Sequence, residues 1–182
     1  MTTRKPLRSD LVNAWHKTIT ERYHTQQIDS ERALQVHFCA ALFREFASAE
    51  RTRRVFIEPT IKFDGTQQVR KPDILVCNQN RIIGIVELKY KPQARASYTK
   101  DLETLALMAV NHENISVTNG RHRGPKKSIK GYALAPDAIL CWAAVYSGNR
   151  ISSADFLQAK SSRTFLALHA ITSLTANPTI HP

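Results

Sequence analysis

Apolar and polar positions divide the chain into a helical first part and an extended middle. Residues 9–23 predict a first helix that Ser9 can cap, with Leu11, Trp15, Thr18, Ile19 and Arg22 on one face, so its stripe is only partly apolar. Tyr23 to Asp29 is polar and predicts a loop. A second helix is expected from Asp29 or Ser30 to about Ala47, where Leu34, Phe38, Ala41, Leu42 and Phe46 form a wide stripe that implies burial. The period then shortens. Val55 to Ile57 and Thr60 to Phe63 predict one strand bent at Pro59, followed by an Asp64-Gly65 turn. Asp73 to Cys77 predicts a second strand, Asn78-Gln79-Asn80 a turn, and Arg81 to Tyr90 a third strand. Short turns between successive strands predict an antiparallel meander.

Helical spacing returns at about Ser97–Asn111, with Tyr98, Leu102, Leu105, Ala106 and Ala109 on one face. A basic loop is expected around residues 121–130, then a buried strand from Ile139 to Ser147 and a turn at Ser147-Gly148-Asn149. A short helix is expected near Ala154–Lys160. Phe165 to Ile171 reads as a strand, although its weak alternation leaves a helix open. The tail from Thr175 is expected to be mobile. The order of helix, three-strand meander, helix and strand predicts an α/β fold, a mixed sheet flanked by helices. With 182 residues, one domain is expected, with a core at about 30–171 and the first helix before it.

Composition narrows the function. About two-fifths of the residues are hydrophobic, enough for a core. No run approaches a membrane span, and no apolar stretch follows the basic N-terminus, so a cytoplasmic protein without a membrane partner is expected. Cys39, Cys77 and Cys141 lie in apolar segments without ligand spacing, which points to packing rather than zinc. Twenty-six Lys and Arg against fifteen Asp and Glu give a net charge of +11, which favours a polyanionic partner such as nucleic acid.

The candidate chemistry lies in Lys71-Pro72-Asp73 and Glu87-Leu88-Lys89. Each acid interrupts an apolar strand, where a charge costs free energy unless it is paired, solvated or bound to a metal. Glu87 and Lys89 are two apart and share a face. Asp73 joins them if the register sets it opposite Glu87 or Ile85, which an odd-length loop centred on Gln79 or Asn80 would provide. Two carboxylates suit a hard divalent cation, most naturally Mg²⁺ with Mn²⁺ as substitute. Lys89 could orient water and stabilise phosphate charge.

Pro72-Asp73, thirteen intervening residues and Glu87-Leu88-Lys89 resemble the PD-(D/E)XK signature of the restriction-endonuclease-like superfamily. The element order over residues 30–147 is similar to that family's core. The resemblance implies a restriction-endonuclease-like fold and an Mg²⁺-dependent deoxyribonuclease, in defence, mobile-element or repair settings. Asp73 and Glu87 would be metal ligands and Lys89 the catalytic lysine. Many members add a glutamate from the helix before the sheet, which makes Glu31 a third metal ligand here, with Glu58 as competitor and Gln35 one turn on from Glu31. The alternative is a non-catalytic nucleic-acid-binding or structural module on the same fold. Arg121, Arg123, Lys126, Lys127 and Lys91 are candidates for phosphate contacts. Lys100 and Asp101 face the same end of the sheet, which leaves a supporting role open, although the helix dipole alone explains an acid there. Trp15 and Trp142 read as core residues. Cutting both strands usually needs two centres, so a homodimer or partner subunit is expected.

Overall fold

The computed structural model describes residues 5–63, 67–123, 126–150, 164–172 and 178–181. Helix α1 (Lys5–Lys17) begins four residues before Ser9 and runs directly into a six-residue π-helix, Thr18–Tyr23. The earlier start comes from Leu7, which extends the stripe of Leu11, Ala14, Trp15 and Ile19; all five are buried. α1 is thus part of the core and not an appendage to it. Helix α2 (Glu31–Ser48) starts as expected, because the Ser30 hydroxyl accepts a hydrogen bond from Ala33 N at 3.1 Å.

The strands are β1 (Arg54–Ile57), β2 (Ile61–Phe63), β3 (Val69–Arg70), β4 (Ile74–Cys77) and β5 (Arg81–Lys91). Helix α3 (Thr99–Val110) follows, then β6 (Ile115–Arg123), β7 (Lys126–Ser147), β8 (Phe165–Thr172) and β9 (Thr179–His181). The sheet is mixed, in the order β1-β4-β5-β7-β6-β2-β3, with β8 on β7 and β9 on β8. β5–β7 and β7–β8 are parallel, and the other pairs are antiparallel. This is a mixed α/β architecture.

Three expectations change. The strand expected to bend at Pro59 is two strands far apart in the sheet, β1 beside β4 and β2 between β6 and β3. The chain breaks at Glu58, whose φ of 48° is unusual for a residue with a side chain, and the following proline has no N–H for a ladder. The meander β1-β4-β5 therefore has β2 and β3 looped out of it. The basic loop is the end of a β6–β7 hairpin, with Arg123 opposite Lys126. The segment Phe165–Thr172 is a strand as expected, but part of the tail, Thr179–His181, pairs with it. The Asp64-Gly65 turn and the helix near 154–160 fall outside the described residues, as does the tail at 173–177.

The core contains Trp15, Phe38, Ile74, Val86, Trp142 and Tyr146, and the three cysteines are free and buried within it. No helix among the described residues is long and apolar enough to cross a membrane.

Candidate active site

The hairpin that carries the two acids is built in an instructive way. At its tip the Asn78 side chain accepts from Asn80 N and Arg81 N, and Asn78 N donates to Arg81 O. This four-residue turn sets Cys77 opposite Ile82. Continued without interruption, that register would put Asp73 opposite Val86, on the face away from Glu87. The ladder slips instead: Val76 lies opposite Gly84, and Ile83 is an extra residue on β5. Beyond this β-bulge Ile74 faces Val86, so the next step sets Asp73 opposite Glu87 and on the same face as Glu87 and Lys89. The parity expected from an odd loop is reached through an even turn and a bulge. Leu7 of α1 packs on the slip, where a Cβ on Gly84 would come 3.0 Å from Leu7 Cδ2.

Both acids are held by backbone groups. Leu88 N donates to Asp73 Oδ2 at 2.6 Å, and Gln35 Nε2 of α2 donates to Asp73 O at 3.0 Å. The same carbonyl accepts from Glu58 N at 2.9 Å. Glu87 lies opposite Trp142 in the parallel β5–β7 ladder and is only 8% exposed. Lys89 Nζ lies 3.5 Å from Asp101 Oδ2 and 3.6 Å from Glu31 Oε2. Glu31 Oε2 also accepts from Tyr90 N at 3.1 Å, which ties the first turn of α2 to β5. Asp101 is fixed from the other side by Trp142 Nε1 at 3.4 Å.

Asp73, Glu87, Lys89, Glu31 and Asp101 line one cavity of about 740 Å³, together with Arg70, Lys71 and Lys100. Glu31, Glu58 and Asp73 also line a smaller neighbouring cavity of about 220 Å³. The structure thus brings the expected Asp/Glu/Lys set together, with Glu31 and Glu58 near Asp73. It leaves Lys91 exposed at the far end of β5, outside the residues lining the cleft. Arg121, Arg123, Lys126 and Lys127 lie on the β6–β7 hairpin. Asp101 contributes more than sequence reasoning gave it. Its helix-start position hid a contact to Lys89 that depends on how α3 folds back on the sheet.

The electrostatics are unbalanced. Burial, reinforced by Glu31 and Asp101, raises the Asp73 carboxyl to about 6 against the opposing Leu88 hydrogen bond and Lys89 charge. Burial also raises Glu87 to about 9, with the Asp73 and Asp101 charges adding to it. Burial raises Asp101 too, against Lys89 and the Trp142 hydrogen bond. For Lys89 burial acts downward, yet Asp101, Glu31 and Asp73 together hold its ammonium above the usual range. Crowded carboxylates of this kind can accept a cation or share protons.

Among the described residues, no group of three or more His, Cys, Asp and Glu side chains is arranged to hold a metal ion. The adjacent pair Asp73 and Glu87 offers hard oxygen donors, and Mg²⁺ is commonly held by one or two carboxylates, with water and phosphate oxygens completing its shell. The donor chemistry fits such an ion. No protein-family model matches the chain, and no curated protein matches it.

Proposed function

We propose that the protein is an Mg²⁺-dependent nuclease that hydrolyses phosphodiester bonds of DNA, on a restriction-endonuclease-like fold. The observation that carries the reading is the convergence of Asp73, Glu87 and Lys89 on one face of the β4–β5 hairpin, at the wall of an open cleft. Helix α2, the β1-β4-β5 antiparallel set, α3 and the parallel β7 follow the order that the sequence signature implies.

In this reading Asp73 and Glu87 would hold the divalent ion, Mg²⁺ or Mn²⁺, with Glu31, engaged by Tyr90 N and Lys89, as the third acid beside them. Such an ion would supply an acidified water and charge neutralisation at the phosphate. The chain's own residues do the rest. Lys89, steadied between Glu31 and Asp101, presents its ammonium to the attacking water and the scissile phosphate and stabilises charge in the transition state. Asp101 keeps that ammonium aimed at the cleft, and Trp142 keeps Asp101 in place. Arg70, Lys71 and Lys100 draw the phosphate backbone to the cleft.

The test is cleavage of plasmid, linear, single-stranded and branched DNA with Mg²⁺, Mn²⁺ or EDTA. Metal-dependent cutting lost in Lys89→Ala is the expected result. An inactive wild type on every substrate would favour the non-catalytic module.

A further inference from the structure

The hairpin of β6 and the first part of β7 takes no part in the chemistry above. Pairing of β7 with β5 starts at Ala133, opposite Arg81, and pairing of β6 with β2 reaches Ser116. Beyond buried Val117 and Tyr132, and among the described residues, 118–123 and 126–131 pair only with each other, as a two-stranded arm.

From Val117 to Gly131 the sequence carries five Lys and Arg and no Asp or Glu. The register sorts them. Asn119 lies opposite Lys130, Arg121 opposite Ser128 and Arg123 opposite Lys126. Directly opposed residues share a face, as do alternate residues along a strand. Arg121, Arg123, Lys126 and Lys130 therefore fall on one face of the ribbon, and Lys127 falls on the other, opposite His122. Five cations without an acid along this stretch suit a polyanionic partner.

The arm is also connected to the cleft. β6 pairs with β2 at its base and β2 pairs with β3, whose Val69 and Arg70 line the cleft. Exposed Lys62 lies opposite both Ser116 and Val69. By the same alternation Arg70, opposite Ile61, falls on the face of Ile115, Arg121 and Arg123, whereas Lys62 falls on the face of Ser116 and Lys127, so Arg70 joins the cleft to the four-cation face.

We infer that the β6–β7 arm grips duplex DNA, with its four-cation face laid along a groove. The inference rests on the reading of DNA as substrate. The major groove of B-form DNA, about 12 Å wide, admits a two-stranded ribbon, whereas that of A-form RNA is too deep and narrow.

The experiment is fluorescence anisotropy of a short DNA duplex with the full chain in EDTA, over a range of KCl concentrations. The variant Arg121→Gln/Arg123→Gln/Lys126→Gln/Lys130→Gln should reduce the slope of log affinity against log salt by about 3 to 4, and Lys127→Gln by at most about 1. Circular dichroism checks folding. If the fourfold variant does not fold, Arg121→Gln/Arg123→Gln and Lys126→Gln/Lys130→Gln should each give about half the loss. An unchanged slope in folded variants, no binding by the wild type, or equal arm-dependent binding of duplex RNA overturns the inference. Cleavage is read separately with Mg²⁺. Arm-dependent binding without any cutting sinks the nuclease reading and leaves the arm, whereas cutting with arm-independent binding does the reverse.

Discussion

Helix α2 carries an acid toward each end, and the two ends treat charge in opposite ways. Near its C-terminus, buried Glu45 accepts from Lys17 Nζ at 2.6 Å and from Asn13 Nδ2 at 3.2 Å. The Lys17 hydrogen bond, against some burial, holds its carboxyl below the usual range. At the N-terminal end, Glu31 joins Asp73, Glu87 and Asp101 around Lys89, and burial pushes Asp73, Glu87 and Asp101 upward. The first cluster is balanced and fastens α1 to α2. The second holds more buried carboxylates than the neighbouring lysine can satisfy, which is costly for folding and useful for binding a cation.

The largest expected effects break the second cluster and spare the first. Asp73→Ala should abolish both cleavage and metal binding. Lys89→Ala should lower cleavage by on the order of 10² to 10³ and leave Mg²⁺ or Mn²⁺ titrations nearly unchanged, since an ammonium has no lone pair to donate. Lys89→Arg should rescue poorly, because a planar fork does not replace a compact charge beside water. Glu45→Gln should cut DNA at the wild-type rate. A folded Lys89→Ala protein that cuts as fast as wild type would remove the distinction between the two ends.

A smaller effect is expected one step back from the chemistry. Asp101→Asn keeps the shape and the bond from Trp142 Nε1 but removes the charge 3.5 Å from Lys89. Cleavage should fall about 10- to 100-fold, as for other groups that orient a reacting residue. Lys89 would also titrate lower, because Asp101 is the largest influence holding it up. The alkaline limb of the pH–rate profile should therefore move to lower pH. A loss of rate with an unmoved profile would make Asp101 merely structural.

How much of this was legible in the sequence depends on how local the determinant is. Ser30 as a cap, the buried stripe of α2 and the apolar runs of β4 and β5 follow from neighbouring residues, and the structure has them. The grouping of Asp73, Glu87 and Lys89 was legible from spacing, but its cause was not. A reader of Asn78–Arg81 has no signal that Ile83 will be the extra residue, because the slip is decided where α1 and β7 pack around Gly84. The division of β1 from β2 was hidden for the same reason. Both have strand-like composition, and only tertiary pairing sends them to different neighbours. Arg121 to Lys130 reads as a loop because it is polar, and only its pairing across β6 and β7 makes it the end of a hairpin.

Metal titration sharpens the comparison further. With Glu87 raised to about 9 and Asp73 to about 6, binding a cation near neutral pH must displace a proton from Glu87. Affinity for Mg²⁺ or Mn²⁺ should rise with pH by up to about tenfold per unit between those values and level off above them. Calorimetry in buffers of different ionisation enthalpy should count about one proton released. Glu87→Gln should weaken binding and flatten the pH dependence. An affinity that is constant from pH 6 to 9 in the wild type would contradict the crowded-carboxylate account.

The smallest effect is on stability without metal, where the two clusters should show opposite signs. Glu87 is raised in the fold from an ordinary value of 4.5. Its contribution is fully present below that value and is lost as pH rises through about 9, because the folded state holds a proton that the unfolded chain has released. Glu87→Gln should match wild type in acid and become the more stable protein as pH increases toward 9. Glu45 is lowered, so its contribution is present above 4.5 and is lost as pH falls through its folded value. Glu45→Gln should be less stable than wild type at neutral pH, and that gap should close in acid. Thermal melts in EDTA would read both, since each kcal/mol moves Tm by about 2–4 °C in a chain of this size. Gains for Glu87→Gln and losses for Glu45→Gln at mildly alkaline pH are expected. A Glu87→Gln protein that melts below wild type there would mean that its carboxylate is satisfied in the fold, and the two ends of α2 would no longer differ in kind.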